Sequence, residues 1–102
     1  MLIQERIIQL MEQAVLEAQR QDLLPSTPLP DIVIEHPQNP ENGDYATSLP
    51  LKLARSTRMN PIVIGEILLR LIPTEEWAER IWIAPPGFVN FLLEPRWLSG
   101  QV

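Results

Sequence analysis

Residues 81–93 read Ile-Trp-Ile-Ala-Pro-Pro-Gly-Phe-Val-Asn-Phe-Leu-Leu, two apolar runs divided by prolines and a glycine. Ile81 and Ile83 alternate with Trp82, and Val89, Phe91 and Leu93 alternate with Phe88, Asn90 and Leu92, the period of two that sends successive side chains to opposite faces of a strand. The segment is expected to form a β-hairpin. Proline at the second turn position and Gly87 at the third suit a type II turn, whose third position needs a positive φ. One face of the ribbon must join a core. If that face carries Val89 and Phe91, then Phe88 and Asn90 stand together on the other. An exposed ring beside a carboxamide can stack on an unpaired base and read its edge with a donor and an acceptor. The competing arrangement is a sheet covered on both faces, with Phe88 packed under a helix and Asn90 satisfying backbone.

Working outward, Pro95-Arg96-Trp97-Leu98 looks like the first turn of a helix, stopped by Ser99-Gly100. Upstream, Asn60-Pro61 is a cap followed by proline at the first helical position, and Ile64, Ile67, Leu68 and Leu71 recur at helical spacing until Pro73. Gly65 inside that helix costs about 1 kcal/mol relative to alanine, which suggests close approach of another backbone. Thr47 or Ser48 can cap a helix running to about Arg58, with Leu49, Leu53 and Ala54 inward and Pro50 tolerated in the first turn. Residues 37–43 are a loop rich in turn formers. Ile32, Val33 and Ile34 suit a short strand between Pro30 and Pro37. Pro25, Pro28 and Pro30 mark a connector, and residues 2–20 place Ile3, Ile7, Leu10, Met11, Ala14 and Ala18 on one face of an amphipathic helix.

The chain has 102 residues, enough for one domain burying roughly two-thirds of its unfolded surface. It has no cysteine and a single histidine, His36, which excludes disulfides, thiolate chemistry and an imidazole zinc cluster. Apolar runs stop well short of the ~20 residues of a membrane helix, and nothing resembles a targeting segment, so a cytoplasmic protein is expected. A net charge of -5 has the wrong sign for holding nucleic acid by bulk electrostatics. Any RNA contact must be local. The charge is segregated, however: residues 45–74 carry four bases against one acid. Lys52, Arg55 and Arg58 fall at intervals of three, a face that either meets phosphates or is simply solvated. Glu35, His36, Asp44 and Tyr45 invite an acid–base reading, but no nucleophile or oxyanion hole accompanies them, and Asp44 before a helix is expected as an N-terminal cap or dipole partner. Trp77, Trp82 and Trp97 are expected in the core or at an interface.

One combination is more specific. Ile34-Glu35-His36-Pro37, Asn39-Pro40, Gly43-Asp44-Tyr45-Ala46-Thr47-Ser48, Asn60-Pro61 and Pro86-Gly87-Phe88-Val89-Asn90-Phe91, in this order, between the leading helix and Pro95-Arg96-Trp97-Leu98, resemble the N-terminal additional domain of arginyl-tRNA synthetases. The resemblance implies an α+β, two-layer domain over residues 1–94, with an antiparallel sheet of three to four strands packed against helices. Residues 95–102 would begin a linker toward an absent catalytic domain. It implies a non-catalytic accessory role, contact with the D-loop of tRNA(Arg), and partnership with the catalytic body, with no membrane or DNA partner. By resemblance, Phe88 and Asn90 occupy the positions that contact a D-loop nucleotide; Lys52, Arg55 and Arg58 are the candidate phosphate contacts from their own spacing. Asn42 departs from the family, many of whose members have histidine there. No HIGH-like or KMSK-like sequence is present, and Lys52 is the sole lysine, so no cofactor is expected for this segment; ATP and Mg are implied only for the parent enzyme. The alternative function is a stand-alone protein-interaction module using Trp82, Trp97 and the acidic first helix, and the last is a small hydrolase built on Glu35, His36 and Asp44.

Overall fold

Apolar residues at steps of three and four produce α1 (Ile3–Arg20), which buries Ile3, Ile7, Leu10, Met11, Ala14, Val15 and Ala18 and leaves its polar side to water. The Glu5 carboxylate accepts the Leu2 amide at 3.1 Å, satisfying one of the donors a helix start leaves open. A computed structural model describes residues 2–98 of the chain. The end of the expected linker, residues 99–102, and the side chain of Trp97 lie outside the described residues.

The remaining elements follow in the order β1 (Tyr45–Thr47), α2 (Leu49–Thr57), α3 (Pro61–Leu71), β2 (Ala78–Ala84), β3 (Phe88–Leu93) and α4 (Pro95–Leu98), with a 3-10 turn at Pro40–Asn42. The strands form an antiparallel sheet in the order β1-β3-β2, and α1, α2 and α3 share the core with one of its faces. The fold is α+β, as expected. No helix among the described residues is long and apolar enough to cross a membrane.

Caps and turns account for the boundaries. Asn60 Oδ1 accepts the Ile62 amide at 2.8 Å to start α3, and Thr47 Oγ1, rather than Ser48, accepts the Leu49 amide at 3.3 Å before α2. Arg58, at φ 59°, closes α2 in the left-handed conformation.

Several expectations fail for identifiable reasons. Residues 32–34 form no strand: Ile32 and Ile34 lean on the core and Val33 is exposed, but pairing is confined to Glu35 and Ala46, joined by bonds of 2.8 and 3.0 Å. Pro30 and Pro37 bracket the segment and remove donors at both ends. Asp44 caps no helix, because residues 45–47 are a strand; its Oδ2 instead accepts the Leu93 amide at the end of β3, at 2.8 Å. The hairpin turn is not type II: it contains a cis Pro85–Pro86 bond, and Gly87 does not have a positive φ. Gly87 is needed for space, since a Cβ there would lie 2.7 Å from Pro61 Cβ and 3.0 Å from Leu51 Cγ. At Gly65 the close neighbour is the side chain of Ile83, 3.0 Å from a built Cβ, not a backbone.

The strands enclose Val89, Phe91 and Leu93 against the helices, with the Trp77 and Phe91 rings 6.2 Å apart. A fully buried Phe91 contributes about 1.5–3 kcal/mol through its area alone. At the far edge of this core, Arg6 Nε and Nη2 grip both Glu75 oxygens at 2.9 and 2.6 Å, and Trp77 Nε1 donates to Glu75 Oε1 at 2.7 Å. The clamp ties α1 to the approach to β2.

Two predictions follow from these contacts. Gly43 adopts φ 87° and ψ -166°, and a Cβ there would lie 2.6 Å from the Phe91 carbonyl oxygen. Gly43→Ala should cost about 1–3 kcal/mol in strain alone, with the clash added, read as a lowered urea midpoint. The Arg6 hydrogen bond, aided by that from Trp77 and opposed by burial, holds the Glu75 carboxyl below its usual 4.5. A carboxylate with a depressed folded pKa stabilises above its unfolded pKa and loses that contribution as pH falls through the folded one. Wild type should therefore exceed Glu75→Gln in thermal stability at neutral pH, and the two should converge on acidification below 4.5.

Candidate nucleic-acid interface

Strand register assigns each side chain of the hairpin to a face. Ile81 pairs with Phe91 and Ile83 with Val89 on the core side, while Trp82 pairs with Asn90 and Ala84 with Phe88 on the outer side; Ala46 of β1 also pairs with Asn90. The parity expected from the sequence is correct: Phe88 and Asn90 share the face turned away from the helices. The expectation that both project into water is not. Asn90 is only 3% exposed, and Phe88 is half-buried.

The covering element is the loop before β1, not a helix. Asn39 Oδ1 accepts the Glu41 amide at 3.0 Å and starts the 3-10 turn at Pro40–Asn42, after which Gly43 carries the chain back onto the sheet. The Asp44 amide then joins the Phe91 carbonyl at 2.8 Å. This return path brings the Asn42 carbonyl to Asn90, whose Nδ2 donates to it at 2.8 Å. With the nitrogen committed, Oδ1 is buried and has no hydrogen-bond partner. An acceptor left so costs about 1–3 kcal/mol, and a donor brought to it recovers that cost.

Asn90 and Phe88 line a cavity of about 200 Å³, together with Pro37, Ala46, Pro85 and Glu35. This is smaller than the roughly 300–1,000 Å³ of drug-sized sites, and of a size for one flat ring system. The cavity brings together a ring, apolar walls and an amide oriented by the loop, its oxygen buried.

The basic residues do not join this cavity. Lys52 Nζ donates to the Asp31 carbonyl at 2.8 Å and fastens the proline-rich connector. Arg55 is exposed on α2, but Arg58 lies one residue beyond that helix, so the three do not form the single helical face expected. Nor is His36 among the residues that line this cavity. Its ring sits 4.7 Å from that of Tyr45 at a 50° tilt, and the cavity is lined by Glu35 instead. Burial, and then the charge of Asp44, raise the Tyr45 phenol above its usual pKa, so it stays protonated at neutral pH. Among the described residues, no three of His, Cys, Asp and Glu come together as a metal ligand set.

Two contributors escaped the sequence reading. The Asn42 carbonyl is backbone, and its contact with Asn90 spans 48 residues. Arg80 lies over the Trp82 ring, its Cζ 4.5 Å from the centroid, on the same face as Phe88 and Asn90. Trp82, expected in the core or at an interface, is half-buried on the outer sheet face beneath Arg80.

Comparison with known proteins identifies the family. The family model described as "Arginyl tRNA synthetase N terminal domain" matches residues 2–93. The arginine–tRNA ligase of Dehalococcoides mccartyi strain CBDB1 is 41% identical over 100 residues, covering 98% of this chain and 18% of that protein. That of Psychromonas ingrahamii is 35% identical over 96 residues, covering 94% and 16%. The chain thus spans less than a fifth of the length of these relatives. Among solved structures, Thermus thermophilus arginyl-tRNA synthetase aligns with a TM-score of 0.63 at 25% identity over 86% of this chain and 14% of that one. The Plasmodium falciparum arginyl-tRNA synthetase aligns with a TM-score of 0.72 at 19% identity, over 93% and 16%, a likeness of fold. The chain belongs to the arginyl-tRNA synthetase N-terminal domain family.

Proposed function

We propose that this domain is a tRNA-binding accessory module of an arginine–tRNA ligase, which takes an unpaired D-loop nucleotide of tRNA(Arg) into the cavity beside Phe88 and Asn90. The observation that carries this reading is that Phe88 and Asn90 line one ring-sized cavity on the outer face of the sheet. Phe88 would supply a stacking surface, and the buried Asn90 Oδ1 would accept from a base edge once the loop that covers it gives way.

Arg55 and Arg58, both exposed, are the stronger candidates for phosphate contact; Lys52 would have to release Asp31 to take part. Affinity in isolation should be low, because the net charge of -5 opposes a polyanion and one base contact supplies little. In the parent enzyme, tethering to a catalytic body raises the effective concentration and makes a weak contact useful. Aminoacylation, with its ATP and Mg, is assigned to that body, and the cytoplasm is the compartment such a role implies.

NMR-detected titration of the chain with a tRNA(Arg) transcript tests the reading. Phe88→Leu, which keeps an apolar side chain but removes the stacking face, should weaken binding by about 1–3 kcal/mol with the fold intact. Unchanged affinity would remove Phe88 from the site. Asn90→Asp, which replaces the donor facing the Asn42 carbonyl, should lower folding stability by about 1–3 kcal/mol in urea as well as weaken binding.

A further inference from the structure

The outer sheet face continues past Asn90 to Arg80 and Trp82. Ala78 pairs with Leu93 on the core side, yet Arg80, two residues on, pairs with Leu92 on the outer side. In a regular strand these two would share a face. The bulge between them, at Glu79, reverses the parity and aims Arg80 outward beside Trp82.

The Trp82 ring reaches across β3: its Cη2 lies 3.0 Å from where a Cβ on Gly43 would stand. Trp82 therefore braces the residue next to Asn42, whose carbonyl holds the Asn90 amide. Over this indole lies the exposed Arg80 guanidinium, and the ion pairs among the described residues, Arg6–Glu75, Arg20–Glu17 and Arg96–Glu94, give it no carboxylate. A guanidinium held over an aromatic ring by cation–π attraction is restrained while N–H groups stay available, which suits a phosphate contact.

We propose that Arg80, oriented by Trp82 and aimed by the Glu79 bulge, binds a phosphate of the RNA strand whose base enters the neighbouring cavity. The proposal rests on the outer face being the RNA surface, and it adds a cation on the hairpin itself, separate from α2. Trp82 is a positioning residue that acts through Arg80 and through Gly43.

The salt dependence of tRNA(Arg) transcript binding, measured by the same titration at several ionic strengths, separates this contact from the cavity. Loss of one phosphate contact on a single strand lowers the slope of log K against log salt by about 0.7. Arg80→Gln should lower the slope by that amount and weaken binding severalfold at low salt. Arg80→Lys should retain the slope but bind less tightly, because an ammonium neither stacks flat nor binds phosphate as a fork. Trp82→Leu should likewise keep the slope and lose affinity. Phe88→Leu should lose affinity at unchanged slope, which reports on the cavity alone. If Arg80→Gln alters neither slope nor affinity while Phe88→Leu weakens binding, the Arg80 contact is overturned and the cavity reading stands. If Arg80→Gln lowers the slope and Phe88→Leu has no effect, the phosphate contact stands and the cavity reading falls. Aggregation of Arg80→Gln at unchanged slope would assign the residue to guarding the β2 edge and would also overturn the proposal.

Discussion

The central strand β3 is paired along both edges, by β1 and β2, is buried on its inner face, and on its outer face is covered at Asn90 and half-covered at Phe88 and Leu92. Its inner residues, Val89, Phe91 and Leu93, are buried against the helices, which is the ordinary consequence of an apolar face meeting an apolar core. Its outer face poses the harder problem, because a polar Asn90 lies there almost without water. The bond from Asn90 Nδ2 to the Asn42 carbonyl resolves half of it. That bond requires the chain to turn at Gly43 with a backbone that only glycine adopts readily, close under Trp82 and against the Phe91 carbonyl. Sheet, turn and cavity therefore depend on one another: the loop is held by the strand, and the cavity exists between them.

The RNA contact proposed above has to be reconciled with an acidic domain, and the placement of the cations does so. Three of its cations are taken up in pairs, Arg6 with Glu75, Arg20 with Glu17 and Arg96 with Glu94, and Lys52 is bonded to a backbone carbonyl. Arg55, Arg58, Arg70 and Arg80 are exposed and stand apart from these pairs. In the proposed function, recognition by such a surface depends on placement more than on net charge, with a tethered larger body supplying most of the affinity. The Arg6–Glu75–Trp77 clamp serves a different end, fixing α1 to the sheet at the edge of the core.

Much of the fold was legible in the linear pattern because the signals were local. The periodicity of residues 2–20 specified α1, Asn60-Pro61 specified the start of α3, and the alternation in 81–93 specified the hairpin and its parity. Less legible were elements whose existence depends on a partner. Residues 45–47 are too short to carry a strand pattern and become β1 by pairing with β3; residues 32–34 have the strand pattern but find a partner only at Glu35. Gly87 was recognised as a turn glycine, yet its reason is the proximity of Pro61 and Leu51. The bulge at Glu79 leaves no mark in composition, so the pairing of Arg80 with Trp82 on the outer face became visible only in the register.

The candidate site divides in the same way. Sequence by itself determined that Phe88 and Asn90 share one strand face, that the opposite face is core, and that no cysteine and only one histidine are available for chemistry, because side-chain alternation and residue inventory are properties of the chain. Tertiary structure alone decided that Asn90 is buried rather than exposed, which of its amide atoms is occupied, and that a cavity lies beside Phe88. Those outcomes come from backbone groups of a loop 48 residues away, and a carbonyl has the same chemistry at every position until the fold gives it a neighbour.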